Sequence, residues 1–371
     1  MRRLLTCLLA SLGLMPFARA HVIDGTSHPS HAAHYDQTVR PPQVRTAIAP
    51  PLLAQGSRPT PTATGQLDNA GIKLPEAIFL PFAPGVGVWR DADFFYVASN
   101  GMPDHRMMVG ITAWQQQVPL PQPYSGANAW RIPLRPVVAA QPLSARQHFF
   151  RGAIAIAANG VPIFNPIKND GRTDTYLAGE LDEFGGHAGR ADDYHYHIAP
   201  THLQAQVGHD KPVAYALDGY PIYGYTEPDG SVPGALDAFN GHETAALGYH
   251  YHASRTYPYL NGGFHGEVVE RDGQVDPQPR ALGVRPALPP WRGARVVDFK
   301  ALDASHYNLI VEVAGQRHQV NYTLNADGSV RFDFIGSDGP MRSETYSVRQ
   351  SGANGSPREG GADRPRRSRS Q

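Results

Sequence analysis

The chain has 371 residues, of which 41% are hydrophobic and 18% charged, and its formal net charge is +0 with histidine neutral. Such a length admits one large domain or two smaller ones, and the apolar share excludes a chain that is disordered throughout. The balanced charge argues against nucleic acid or an acidic membrane surface as a partner.

The first residues read as a signal peptide over 1–20, so the protein is expected to be periplasmic or secreted. Arg2 and Arg3 supply a positive start, Leu4 to Leu14 a short apolar run, and Ala18-Arg19-Ala20 a small-residue cleavage site. The apolar run is too short for a membrane span, which needs about 20 residues, and no later segment reads as transmembrane. The single cysteine, Cys7, lies inside this signal. A mature chain without it has no disulfide and no thiolate ligand, so a metal site must use His, Asp, Glu or Tyr. Cleavage after Ala20 would leave His21 first, and a terminal histidine can hold copper through its amine and ring. A catalytic shell needs rigid support, however, and residues 21–73 read as a disordered leader rich in proline and histidine, with Pro41-Pro42, Pro50-Pro51 and Pro59-Thr60-Pro61. Residues 351–371 read as a disordered Gly/Ser/Arg/Pro tail.

Between these ends the signals are strands and turns. Asp93-Phe94-Phe95-Tyr96-Val97-Ala98 is closed by Asn100-Gly101. Ala153-Ile154-Ala155-Ile156-Ala157 is closed by Asn159-Gly160, and Val213-Ala214-Tyr215-Ala216-Leu217 by Asp218-Gly219. No long amphipathic helix is legible, and the chain carries 38 Gly and 34 Pro. The expected fold is mainly β: a loop-rich domain over 74–276 with an internal duplication, then a small β-meander over 291–350, set apart by a proline-rich stretch from Pro277 to Pro290. The meander strands are Arg295–Phe299, Asn308–Val313, Gln319–Leu324 and Ser329–Phe334, the last two joined by Asn325-Ala326-Asp327-Gly328.

The duplication carries the chemistry. Leu181 to His197 aligns without a gap on Leu236 to His252. Asp182 matches Asp237, Gly186-His187 matches Gly241-His242, and Tyr194-His195-Tyr196-His197 matches Tyr249-His250-Tyr251-His252. Upstream, Asn159-Gly160-Val161-Pro162-Ile163-Phe164 resembles Asp218-Gly219-Tyr220-Pro221-Ile222-Tyr223. The repeat units run over about 154–202 and 213–257.

Side chains alternate along a strand, so H-x-H puts both imidazoles on one face. His195 and His197 can then chelate one ion, with His187 as a third ligand. The second copy offers His242, His250 and His252. Asp182 and Asp237 are candidate carboxylate ligands, or acceptors that orient a histidine N–H. Three protein ligands and an open position suit catalytic zinc, and copper or iron also accept imidazole. Structural histidines bonded to main chain are the alternative, but six at matched spacing favour metal, with copper or zinc foremost. Binding needs neutral imidazole, so affinity should fall below pH of about 6.5. Duplicated units pack on each other, so the two triads are expected to face one another as one shared site or two adjacent ones.

The stretch from about Asp93 to Gly266 resembles the YHYH domain family of exported proteins. The marks are Asn159-Gly160-Val161-Pro162, Gly186-His187, Tyr194-His195-Tyr196-His197, Leu217-Asp218-Gly219-Tyr220-Pro221-Ile222-Tyr223-Gly224, Asn240-Gly241-His242, Tyr249-His250-Tyr251-His252 and Tyr257-Pro258-Tyr259. The family often carries a cysteine just before the Gly-His element. Here Phe184-Gly185 and Phe239-Asn240 stand there, so a cysteine staple or ligand is missing. The resemblance implies that the histidines act as a unit and brings no activity with it.

Three functions follow as expectations. The first is an exported copper- or zinc-handling protein. The second is a metalloenzyme, hydrolase or copper/iron oxidoreductase, with an open metal position. The third is a β-rich interaction module with a structural metal. No G-x-S-x-G, H-E-x-x-H, P-loop or dinucleotide fingerprint is present.

Overall fold

Short apolar runs punctuated by glycine turns can build strands but not long helices, and the computed structural model, which describes residues 74–347, follows that rule. The expected signal peptide, leader and tail lie outside the described residues. An antiparallel sheet is made by β1 (Gly87–Arg90), β2 (Phe94–Ala98) and β3 (Trp130–Pro133). After β4 (Val138–Ser144) come the strands of the central sheet: β5 (Ala153–Ala157), β6 (Pro162–Phe164), β7 (Gly186–Ala188), β8 (Tyr194–Tyr196), β9 (Ala214–Ala216), β10 (Pro221–Tyr223), β11 (Gly241–Thr244) and β12 (Gly248–His252). Strand β13 (Gly263–Gly266) pairs with β4, and β14 (Glu270–Arg271) with β15 (Gln274–Val275). The C-terminal meander is β16 (Arg295–Ala301), β17 (His306–Val313), β18 (Gln316–Leu324), β19 (Ser329–Gly336) and β20 (Gly339–Ser347). The longest helical segment among the described residues is a 3-10 stretch, Pro75–Phe82.

The eight central strands are ordered β11-β12-β10-β9-β5-β6-β8-β7. Read outward from the β5–β9 pair, both halves follow one scheme. A hairpin (β5–β6, β9–β10) joins a second hairpin (β7–β8, β11–β12) through a parallel pairing, β6–β8 or β10–β12. This order corrects the expectation that the triads face each other. Strands β8 and β12 are separated by four others, and the two Tyr-His-Tyr-His segments lie toward opposite ends of one sheet.

All five residues of β5 are buried, as a strand in mid-sheet with both faces covered must be. Phe79 and Phe95 pack on Tyr215 of β9, with ring centroids 6.5 and 5.2 Å away, which brings the 3-10 segment and the first sheet against the central one. Each such aromatic contributes about 1.5–3 kcal/mol by leaving water.

The meander stacks Tyr307, Tyr322 and Phe332 along one face. It is docked rather than tethered. Arg285, from the proline-rich stretch, forms two hydrogen bonds with the Asp192 carboxylate at 2.7 and 2.8 Å, and its guanidinium lies 4.5 Å from the Phe332 ring centre. The Tyr322 hydroxyl donates to the Pro119 carbonyl at 2.8 Å. The fifth strand, β20, was not foreseen. It is mostly exposed and polar, and it pairs with β19 across the two-residue turn Ser337-Asp338.

Candidate metal centres

Each Gly-His element and the following Tyr-His-Tyr-His segment form one hairpin. In the first, Gly186 pairs with Tyr196, His187 with His195 and Ala188 with Tyr194. In the second, Gly241 pairs with Tyr251, His242 with His250 and Glu243 with Tyr249. Directly opposed residues have Cβ atoms about 5 Å apart on one face. The histidine from the Gly-His element therefore meets the first histidine of the H-x-H pair across the ladder, and the strand period adds the second.

Main-chain carbonyls then fix the rings. A carbonyl can only accept, so a ring nitrogen bonded to it must carry the proton. His195 Nδ1 donates to Asp193 at 2.9 Å and His197 Nδ1 to Asn165 at 2.7 Å. His250 Nδ1 donates to Gly248 at 2.9 Å and His252 Nδ1 to Gly224 at 3.0 Å. Each Nε2 is thereby left as a lone-pair donor. The Nε2 atoms of His187 and His197 lie 3.1 Å apart, as do those of His242 and His250. In each group the ligand atoms fall within 4.8 Å of one another.

Burial holds His187 and His197 well below the usual histidine pKa, and the neighbouring imidazoles and Lys168 push the same way. His252 is lowered by burial as well, against the pull of the Gly224 carbonyl and Glu227. Phe164 stacks on His195, with centroids 3.9 Å apart, while Tyr223 takes the corresponding place near His250 at 5.4 Å.

Residues 129–234 match the model of the YHYH protein family. The matched YHYH segment holds the whole first triad and ends before His242. No curated protein and no solved structure matches the chain.

Beside the YHYH triads, Asp182 and Asp237 do not join the ligand groups. Asp182 accepts from the amides of Met108, Phe184 and Gly186 and from the Tyr194 hydroxyl. Asp237 accepts from the amides of Phe239 and Gly241 and from the Tyr249 hydroxyl. Both carboxylates brace the loop that presents the Gly-His element. Burial pushes Asp182 up to about 7, against the downward pull of those donors. The tyrosine also explains the glycine: a Cβ on Gly186 or Gly241 would collide with the hydroxyl of Tyr194 or Tyr249.

Sequence reasoning missed Glu227. Its carboxylate lies 2.8 Å from His242 Nε2, 3.3 Å from His250 Nε2 and 3.5 Å from His252 Nε2, and completes a four-member group. It stands three residues after Gly224, whose carbonyl holds His252, a relation that only the structure reveals.

A second missed group backs the first triad from the tyrosine side. Asn159 donates to the Tyr196 hydroxyl at 2.9 Å, and that hydroxyl lies 2.7 Å from His105 Nε2. His105 Nδ1 is 2.8 Å from the Arg106 carbonyl, so Nδ1 carries the proton and Nε2 accepts from Tyr196. Burial lowers His105 to about 4. Phe184 stacks on this ring at 3.9 Å, and His202 meets it edge-on at 5.2 Å. In the other half Asp218, pushed up to about 6 by burial, accepts from Tyr251 at 2.6 Å.

Proposed function

We propose that this is an exported metal-binding protein that holds one ion in each histidine cluster, with copper or zinc the best fit to the ligands. The observation that carries this reading is the convergence of lone pairs. In each triad both H-x-H rings give their Nδ1 proton to a carbonyl, so two of the three Nε2 atoms can only accept, and the neutral third ring, 3.1 Å from one of them, can donate to at most one. Acceptors buried against each other repel unless a cation or a proton lies between them. Burial that holds His187 and His197 below the usual histidine pKa keeps these rings neutral, the form a metal ligand needs. Neutral imidazole suits zinc and copper alike. His252 Nε2 supports the same reading in the second cluster, being buried without a hydrogen-bond partner.

Elemental analysis of protein expressed with its own N-terminus and recovered from the periplasm or medium tests this. The expected result is close to two equivalents of copper or zinc per chain, on a chain that begins at His21. Protein that takes up neither ion at neutral pH would overturn the metal reading, and an intact Met1 form confined to the cytoplasm would overturn export.

A further inference from the structure

The two clusters share a main-chain frame but differ in the side chain that comes fourth. In each, the last histidine donates Nδ1–H to a carbonyl, that of Asn165 in one half and Gly224 in the other. Three residues beyond that carbonyl stands Lys168 in the first half and Glu227 in the second. Glu227 turns into its cluster. Lys168 Nζ instead meets both carboxylate oxygens of Glu180, at 2.7 and 3.0 Å. The Lys168 charge is among those felt by His187 and His197. Among the described residues no carboxylate joins the first cluster.

We propose that the second centre is closed by His242, His250, His252 and Glu227, whereas the first holds its ion with His187, His195 and His197 alone and takes a small anion as fourth ligand beside the Lys168 ammonium. This rests on the reading of both clusters as metal sites. Four protein ligands make a closed tetrahedral site, and three leave a position for water or an exogenous group. Charge points the same way. A divalent ion among three neutral imidazoles keeps its full charge, while Glu227 cancels half of it in the other centre. Lys168 neutralises Glu180, so its part is to mask that carboxylate from the anion, which is drawn by the ion's own uncancelled charge. The Lys168 side chain is 28% exposed and that of Glu180 9%, so the ammonium is anchored from within yet reachable from water. The ligand class is a small anion with one oxygen or nitrogen donor: hydroxide, a carboxylate or an inorganic oxyanion.

Cobalt(II), which reports its coordination through its visible spectrum, and azide as the anion make the test. The full chain loaded with two equivalents of cobalt should respond to azide at one ion only. In His195→Ala one cobalt should remain and the azide response should vanish. In Glu227→Gln the azide response should persist. Lys168→Gln should keep both cobalt ions and bind azide several-fold more weakly. Azide perturbing both ions or neither in a protein that holds two would overturn the proposal and leave metal binding standing. So would an azide response that survives in His195→Ala, or an unchanged azide affinity in Lys168→Gln, which decides the matter if His195→Ala does not fold. Failure to take up cobalt at all would instead sink the metal reading, and this inference with it.

Discussion

The Tyr194 hydroxyl donates to Oδ2 of Asp182 at 2.8 Å, and Tyr249 does the same for Asp237 at 2.8 Å. Each bond ties the first residue of a Tyr-His-Tyr-His strand to the loop that delivers the Gly-His element. Replacing Asp182 strands three amides and a hydroxyl in the interior, and each buried donor left unpaired costs about 1–3 kcal/mol. Asp182→Ala should therefore lower unfolding stability by about 3 kcal/mol or more, and Tyr194→Phe by about 1 kcal/mol. Urea denaturation of the metal-free protein measures both. Equal stability of Asp182→Ala and wild type would remove the bracing role.

The centres should behave independently. Five inter-strand steps separate β8 from β12, or roughly 24 Å along the sheet at about 4.8 Å per step. Sites at such a distance add in their effects. His195→Ala and His250→Ala should each release one equivalent of metal, and the double variant both. Isothermal titration should give the same affinity for the surviving site in each single variant as in wild type. A single change that empties both sites would contradict this.

Acid should weaken the metal-free protein in part through His105. Its folded pKa of about 4 lies below the unfolded value of about 6.5. Between these values the unfolded chain binds the extra proton, so this contribution is complete above pH of about 6.5 and is lost as pH falls toward 4. The gap sets an upper bound of about 3 kcal/mol, and the ring keeps some exposure, so the measured share should be smaller. Asp182 and Asp218, raised by burial, act in the opposite direction, gaining stability as pH falls. The informative comparison is thus between slopes: stability of His105→Gln should decline less between pH 7 and pH 4 than that of wild type. Parallel slopes would refute the assignment.

Arg285 and Asp192 form a pair whose side chains are 4% and 3% exposed. Removing one partner of such a pair leaves a buried charge and costs about 3–5 kcal/mol. Arg285→Ala should loosen the meander first, so limited proteolysis should cut near residues 277–294 sooner than in wild type. An unchanged digestion pattern would show that the stacked rings and the Tyr322 hydroxyl hold the meander by themselves.

Much of the centre was legible in the chain because the strand period is strict. H-x-H fixes two rings on one face, and the matched spacing of Gly-His to Tyr-His-Tyr-His announces two similar hairpins. What the repeat could not announce was their distance, since the pairing of β5 with β9 sends the halves outward from a shared middle. Glu227 was hidden for a different reason. The repeat is ungapped only from Leu181 and Leu236 onward, whereas the upstream strands stand four residues further apart, and Glu227 belongs to that upstream frame. His105 and His202 come from segments outside the repeat and have no spacing to reveal them. Strand β20 lacks a core-facing apolar pattern, because its side chains are largely in water.

The order of the central sheet has a mechanical side. Among the described residues strands β7 and β11 are its two rims, each with a hydrogen-bonded neighbour on one side only. Outermost strands are the ones that peel away first and that recruit foreign strands. His187 sits on one rim and His242 on the other, each opposite a histidine of the next strand inward. An ion bound between them would rivet the rim to its neighbour through side chains, where the main chain can do so on one flank alone. Scarcity of metal would then be felt as fraying from both margins toward β5 and β9, with the protein's tendency to self-associate rising as its ions are withdrawn.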